Sequence, residues 1–156
     1  MGPRLIAARR RGAALVEFAL LLPVLMLVLL GVIEFALIGH HKLLIVQGSR
    51  AGVREAAIGR TVAVVKTRVK NAAPGMGITD DQIAVEYNTR ADGTGTWVPV
   101  QDNATGTANT VPYAHPIRVR VSNWPHRLVS GSFFGWLPGV QNQTLPLSGQ
   151  MIMRRE

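Results

Sequence analysis

An uninterrupted apolar stretch near the N-terminus limits what this chain can fold into. Residues 13–33 read AALVEFALLLPVLMLVLLGVI, which is 21 residues with Glu17 as the only charged side chain. As an α-helix this segment would be about 32 Å long, which matches the roughly 30 Å hydrocarbon core of a bilayer. The sequence therefore predicts a transmembrane helix over residues 13–39, continued by an exported part of the chain.

Basic residues before the apolar stretch predict its orientation. Arg4 and the run Arg9–Arg11 lie in a segment with no acidic residue. Because cytoplasmic flanks of membrane helices are enriched in Lys and Arg, we expect a single-pass membrane protein with a cytoplasmic N-terminus. Residues 43–156 would then be periplasmic or extracellular, and His40, His41 and Lys42 would lie at the outer interface.

A secretory signal peptide is the main alternative for this N-terminal segment, since it also combines basic and apolar regions. The apolar stretch is longer than the usual signal core of about 7–15 residues. The sequence that follows, GHHKLLIVQGSRAG, has no small-x-small cleavage site directly after the stretch. We therefore expect the apolar helix to be retained.

Composition narrows the functional classes. The chain has 156 residues, 17 basic and 9 acidic side chains, a net charge of +8 and no cysteine, with a mean hydropathy of +0.19. This length argues against a two-domain enzyme, and the lack of cysteine excludes disulfides and thiolate zinc sites. Four of the 17 basic residues precede Gly12, so 13 basic and 9 acidic residues, or +4, remain after it. No specific nucleic acid partner is expected.

The helical pattern continues beyond the membrane. Residues 43–58 contain no proline, and small residues recur there every four positions, at Gly48, Gly52 and Ala56. They form a strip for possible helix packing, either on the chain's own sheet or on a partner. The first helix should cover residues 13–58, and a second amphipathic helix over residues 60–73 completes an exported helical segment, 40–73, before Pro74-Gly75.

Residues 74–156 are predicted to form a small antiparallel β-sheet packed on the outer half of the long helix, which makes the fold class α+β. Residues 117–122, IRVRVS, alternate strictly and place Arg118 and Arg120 on the face opposite three aliphatic residues. Segments 83–87 and 96–100 flank a turn at Asp92-Gly93 and indicate a hairpin.

Two further segments complete this half of the chain. Residues 102–110, DNATGTANT, lack apolar periodicity and are expected to form a mobile loop. Residues 144–153 are expected to form a last strand broken around Pro146.

Glu17 is the most informative single residue. An ionised carboxylate costs about 2.5–3.5 kcal/mol at the centre of a membrane helix, and less towards its end, so it needs a compensating interaction. If the chain were cut after Gly12, Ala13 would carry a new amine, and Glu17 would lie about 6 Å further along the same helix. A neighbouring subunit displaced by about one turn could pair its amine with this carboxylate and so fix the register of a helical filament.

These residues resemble type IV prepilins, and more closely the TadE-like minor pilins, or pseudopilins, of the tight-adherence (Flp) pilus machinery. The resemblance rests on the basic leader 1–12 ending in Gly12, on Glu17 as the fifth residue after it and on Phe18. Three further segments are similar to family features: GVIEF at 31–35, GSRAGVR at 48–54 and MRRE at 153–156. Ala13 stands where many type IV pilins have phenylalanine.

The resemblance implies processing between Gly12 and Ala13 by a prepilin peptidase, and a subunit-register role for Glu17 and Phe18. It also implies other pilin or pseudopilin subunits, an inner-membrane assembly platform and membrane lipid as partners. No cofactor, metal or catalytic residue is implied. The sequence also contains no nucleophile elbow, phosphate-binding loop or dinucleotide fingerprint, so we predict that the protein is not an enzyme.

Several alternatives remain open from the sequence. Glu17 could simply face water at the cytoplasmic boundary. Glu34 could lie at the outer membrane interface, satisfied by headgroups or Lys42, or it could take part in subunit pairing. Pro23 either softens the membrane helix or is a tolerated membrane proline. The alternative function is a membrane-anchored periplasmic protein that binds an acidic ligand through Arg118 and Arg120 and enters no fibre.

Overall fold

The computed structural model describes residues 3–134 and 138–156, with side chains from residue 14 onward except those of Ser132 and Phe134. Two helices come first, α1 (Pro3–Ala57) and α2 (Val62–Ala72). Four strands follow: β1 (Ile83–Asn88), β2 (Trp97–Pro99), β3 (Pro116–Arg127) and β4 (Thr144–Arg154). The predicted α+β class is confirmed, with a long apolar first helix, a second helix and an antiparallel sheet packed against the long helix.

The chain divides into two compact units, residues 1–37 and 38–156. The first unit is the apolar part of α1. The second unit contains the rest of α1, α2 and the sheet, and it holds the cluster of buried aliphatic side chains.

Helices α1 and α2 form a tight antiparallel pair within the second unit. Gly59 has φ +89°, a backbone conformation that favours glycine, and it lets the chain turn after α1 ends. Thr61 caps α2, because its hydroxyl accepts a hydrogen bond from the Val64 N–H at 3.4 Å. Val65 and Val69 of α2 are buried, as expected of an amphipathic helix that packs one of its faces.

The sheet has the strand order β2-β1-β3-β4, and all neighbouring strands are antiparallel. Val119 of β3 lies opposite Val85 of β1 and Met151 of β4. The alternation of β3 is as predicted, since Ile117, Val119 and Val121 are all fully buried. The pairing of β1 with β2 likewise agrees with the predicted hairpin.

The last strand differs from its prediction. β4 continues through Pro146, which lies opposite Pro125 of β3, and the irregularity falls instead in β3 between Val121 and Trp124. Proline has no N–H to donate to a neighbouring strand. It is tolerated in an edge strand because no further strand lies on that side. β4 is at the edge of the sheet, so Pro146 does not interrupt it.

Residues 102–110 are also held more firmly than the expected mobile loop. Asp102 and Asn109 form a β-bridge, and Asn109 is buried. Its side-chain Nδ2 donates hydrogen bonds to the carbonyl oxygens of Ala56 and Arg60, both at 2.9 Å. This loop therefore fastens the sheet to the end of α1.

Candidate assembly site

The apolar part of α1 leaves its side chains uncovered. Leu15 and Leu20 keep about 70% of their surface exposed (70% and 71%), and every residue from 14 to 30 is exposed. A continuous apolar surface of this extent indicates contact with lipid or with other helices. By length and composition, this helix is able to cross a membrane.

Glu17 is the only charged residue between positions 14 and 33, and it is exposed beside the exposed Phe18. The predicted processing residues Gly12 and Ala13 belong to the backbone of α1, and beyond this backbone assignment they lie outside the described part of the chain. Residues four apart share a helix face, so the helical backbone places positions 13 and 17 on one side.

Glu34 occupies a different environment from that of Glu17. It retains only 4% of its surface, whereas its neighbour Phe35 is 78% exposed. Lys42, considered from the sequence as its partner, donates a hydrogen bond from Nζ to the Ser148 carbonyl oxygen of β4. The assignment of Glu34 to the membrane interface stays a prediction.

The strip of small residues faces the chain's own domain. A Cβ added to Gly48 would lie 3.0 Å from the Val69 carbonyl oxygen, and one added to Gly52 would lie 2.4 Å from Val69 Cγ2 and 3.3 Å from Val119 Cγ1. Ala56 is fully buried. The structure thus places this strip against α2 and β3, and the folded domain covers these positions.

The opposite side of α1 is polar and open. Arg50 and Arg54 are exposed and line a groove of about 580 Å³ together with Arg68 of α2 and Met153 of β4. Glu55 also lines this groove, and its carboxylate oxygens lie 3.8 Å from Arg68 Nε and 4.0 Å from Arg60 Nε. This groove is open to solvent and carries both positive and negative side chains, which suits a surface for protein contact. Among the described residues, no group of three or more His, Cys, Asp or Glu could hold a metal ion.

Arg118, which the alternative function assigns to an acidic ligand, already has an internal partner. Its Nε and Nη2 donate to Glu86 Oε2 at 2.9 and 2.6 Å, and its guanidinium carbon lies 4.3 Å from the centre of the Trp97 ring. Both charged side chains are largely buried, at 16% and 17% exposure. Arg120 is more exposed and lies 3.7 Å from the other Glu86 oxygen. Both arginines therefore contact the Glu86 carboxylate, whereas the alternative function requires them to contact an acidic ligand.

We expect the substitution Arg118→Ala to lower the free energy of unfolding by about 2 kcal/mol, because it leaves a largely buried carboxylate without its strongest donors. Arg120→Ala, at the long and exposed contact, should cost less than about 1 kcal/mol. Denaturant unfolding of the full chain in detergent, followed by tryptophan fluorescence, measures both. Equal losses in the two variants would contradict this structural role of Arg118.

A histidine pair joins α1 to β3. His41 Nδ1 and His126 Nδ1 are 3.0 Å apart, and the Trp124 ring centre lies 5.0 Å from that of His41. One imidazole donates and the other accepts, so at least one ring is neutral. No local pattern predicts this pair, because 85 positions separate its members.

The end of α1 is capped by the C-terminal segment. Arg155 Nη1 donates to the carbonyl oxygens of Ala56 at 3.4 Å and Ala57 at 3.3 Å. The Glu156 N–H donates to Ala57 O at 3.1 Å. A basic side chain at this position also complements the negative end of the helix dipole. The segment MRRE, noted in the sequence only as a family-like ending, thus ties β4 to the long helix.

Together, the uncovered apolar helix and the α+β unit that follows it define a membrane protein, and the described residues contain one helix long and apolar enough to span a bilayer. Residues 12–54 match the family model described as "TadE-like protein", so this segment of the chain is similar to the TadE-like family. This match confirms the resemblance predicted from Gly12, Glu17 and the motifs up to residue 54, whereas the leader before Gly12 and the MRRE segment lie outside the matched residues. The family is a structural, pilus-associated one, and the match and the long apolar helix support a membrane protein associated with the tight-adherence pilus. No curated protein and no solved structure shows a significant match to the chain.

Proposed function

We propose that the protein is a pilin-like subunit, a minor pilin or pseudopilin, which is processed after Gly12 and acts in assembly of the tight-adherence pilus. It contributes helix packing and surface contacts rather than catalysis. The observation that carries the proposal is the uncovered apolar face of α1 with Glu17 as its one charge, located inside the segment that matches the TadE-like family.

The register interaction follows from this face. Cleavage would give Ala13 a positively charged amine, and Glu17 would offer a carboxylate one helical turn away. Within one subunit, both groups would lie on the same side of the helix. In a bundle of parallel helices, a neighbour displaced by about one turn brings its amine to this carboxylate. Pairing removes most of the cost of an isolated charge among apolar side chains, and a displacement of a different size leaves both charges unpaired.

The proposed partners follow from this role. A prepilin peptidase would cut the leader, other pilin or pseudopilin subunits would cover the apolar face, and an inner-membrane assembly platform would receive the processed subunit. Before assembly, lipid covers the same face. The proposed topology is single-pass in the inner membrane, with the N-terminus in the cytoplasm and the exported unit in the periplasm or outside the cell.

The first experiment maps the mature N-terminus by mass spectrometry in the native host, with and without the matching prepilin peptidase. We expect Ala13 as the first residue when the peptidase is present and an uncut leader when it is deleted. A variant Gly12→Val, which adds a branched side chain before the cut, should keep its leader in both strains. The variant Gly39→Val is the matched control and should be cut normally.

Two results would count against the proposal. A mature protein that begins beyond Leu37 would mean that the apolar helix is a removed signal. An uncut chain in the peptidase-positive strain would favour the membrane-anchored binding protein instead, although the internal pairing of Arg118 gives that alternative no support.

A further inference from the structure

One surface of the exported unit combines positive charge with an apolar patch. It is the groove of about 580 Å³ between the C-terminal part of α1, α2 and the end of β4, and all of its residues belong to the unit 38–156. We call it the arginine groove. Its defining residues are Arg50, Ala51, Arg54, Glu55, Ile58 and Glu156.

Two arginines of this groove, Arg50 and Arg54, find no carboxylate partner among the described residues. Both are exposed, and because they are four residues apart, they share a helix face and lie about 6 Å apart along its axis. In the described part of the chain, no carboxylate oxygen lies within 4.0 Å of either guanidinium. By contrast, Arg68 of α2 contacts Glu55 at 3.8 Å. Two positive charges at a fixed spacing are therefore available to an external anionic group.

An apolar patch lies in the same groove as these arginines. Ile58 keeps 52% of its surface exposed although it is aliphatic, and Ala51 and Met153 are partly exposed. Arginine beside exposed aliphatic side chains is typical of protein–protein interfaces, in which Arg and Met are enriched. The composition therefore favours a protein segment with both acidic and aliphatic side chains as the occupant.

The acidic residues of the groove argue against a polyanion such as nucleic acid or an anionic lipid surface. Glu55 and Glu156 line the same groove, and they would repel a closely spaced row of phosphates. Nucleic-acid interfaces are much more positively charged than protein interfaces. A protein partner avoids this repulsion by placing carboxylates only opposite Arg50 and Arg54.

A second copy of this chain is a poorer occupant, because its helices lack the required acidic pair. Carboxylates that meet both arginines must be about one helical turn apart, as acidic residues at positions i and i+4 of a helix are. The acidic residues of α1 are Glu17, Glu34 and Glu55, which are many turns apart, and the sequence of α2 contains none. The complementary helix face therefore belongs to a different protein.

We propose that the arginine groove binds an acidic helix face of a different protein subunit. Two carboxylates of the partner, one helical turn apart, contact Arg50 and Arg54, and a neighbouring aliphatic side chain covers Ile58. This inference rests on the proposed function, because it assigns one of the surface contacts of a pilin-like subunit to this class of partner. It places the contact on the exported unit, separate from the register interaction at Glu17.

The first test uses the full chain in its native host, with the photoreactive residue benzoylphenylalanine in place of Ile58. The same replacement of Tyr113 is the control, since Tyr113 is 78% exposed and lies outside the groove. After irradiation, we expect position 58 to cross-link to a different protein, at a peptide with two acidic residues one helical turn apart. The same product should be at least about fivefold weaker from position 113.

A cross-link from position 58 to a second copy of this chain, to lipid alone or to a peptide without an acidic pair would overturn the inference, as would the lack of any product. The mature N-terminus is mapped in the same samples, which separates this inference from the proposed function. A chain that begins at Ala13 but gives no product overturns the inference alone. An uncut chain that cross-links to the acidic peptide supports the inference and overturns the proposed cleavage.

Charge reversal tests the two arginines directly. Arg50→Glu with Arg54→Glu should lower the yield of the position-58 product at least about tenfold, because like charges then face each other across the interface. Arg90→Glu with Arg127→Glu is the matched control, since it changes the net charge by the same amount at two exposed positions outside the groove. The control should keep the parent yield. Equal losses in the two double variants would mean that overall charge, not the groove, governs the contact, and would overturn the inference.

The folded state of these variants is checked by denaturant unfolding of the full chain in detergent. Arg50→Glu with Arg54→Glu should unfold at the same denaturant concentration as the parent, because neither arginine has an ion pair within the described residues. If charge reversal lowers stability, Arg50→Gln with Arg54→Gln provides the second measurement, since it removes the charges without adding repulsion. An unchanged cross-link yield in this stably folded variant would overturn the inference.

Discussion

Glu17→Ala will leave membrane insertion and leader cleavage intact and will remove the protein from assembled pili. Insertion should persist because the substitution makes the apolar segment more apolar. Incorporation should fail because the amine of the neighbouring subunit then has no carboxylate to meet at the correct displacement. We expect at least about a tenfold loss of pilus-associated protein, which corresponds to about 1.4 kcal/mol per subunit contact. Immunoblots of sheared pili and of membranes measure the two pools.

Two further variants separate charge from shape at this position. Glu17→Gln keeps the size of the side chain and removes its charge, so it should fail as Glu17→Ala does. Glu17→Asp keeps the charge on a shorter side chain and should restore part of the incorporation. Normal piliation by the Ala and Gln variants would show that Glu17 faces water at the cytoplasmic boundary and has no role in register.

The elements that could be predicted from the sequence are those with a local signal. The apolar helix follows from composition alone, because 21 residues with a single charge leave few other structures. β3 follows from its strict alternation, and the buried Ile117, Val119 and Val121 agree with it. The second helix follows from its apolar periodicity and from the Pro-Gly pair after it. In each case, the residues that predict the helix or strand belong to that same helix or strand or directly follow it.

The features that could not be predicted depend on residues far apart in the chain. Asn109 appears in the sequence as part of a polar loop, and only the folded structure brings its amide to the end of α1. Arg155 and the His41–His126 pair are comparable cases. Pro146 was expected to break a strand, but strand order decides its effect, and an edge position cannot be recognised from one segment.

The candidate assembly site divides in the same way. Glu17 was selected from residue type and spacing, and its role in register stays a prediction. The partner of Arg118 was not, because the alternation of β3 assigns the arginine to a face but does not show that Glu86 lies opposite on β1. A charged face of a strand can therefore be a binding surface or an internal ion pair, and cross-strand register decides between them.

Gly52→Val should be the most damaging substitution in the exported unit. The added Cβ alone would lie 2.4 Å from Val69 Cγ2, and Val69 is fully buried between α1 and the sheet. Overpacking of a buried position costs typically about 1–3 kcal/mol, and the two methyl groups of valine extend the clash towards Val119. We expect a loss of about 3 kcal/mol in the free energy of unfolding, measured by denaturant titration of the full chain in detergent.

Gly39→Val is the matched control for helix propensity. The same change of residue type occurs in the same helix, but a Cβ at Gly39 would meet no atom within 4 Å. Because glycine is the poorer helix former by a few tenths of a kcal/mol, this variant should be as stable as the parent or slightly more stable. Similar stability of both variants would mean that the α1–α2 contact at Gly52 relaxes without cost. A large loss confined to Gly52→Val would show that the glycine strip is needed for packing within the subunit, which leaves the polar face with Arg50 and Arg54 as the side of α1 available to neighbours.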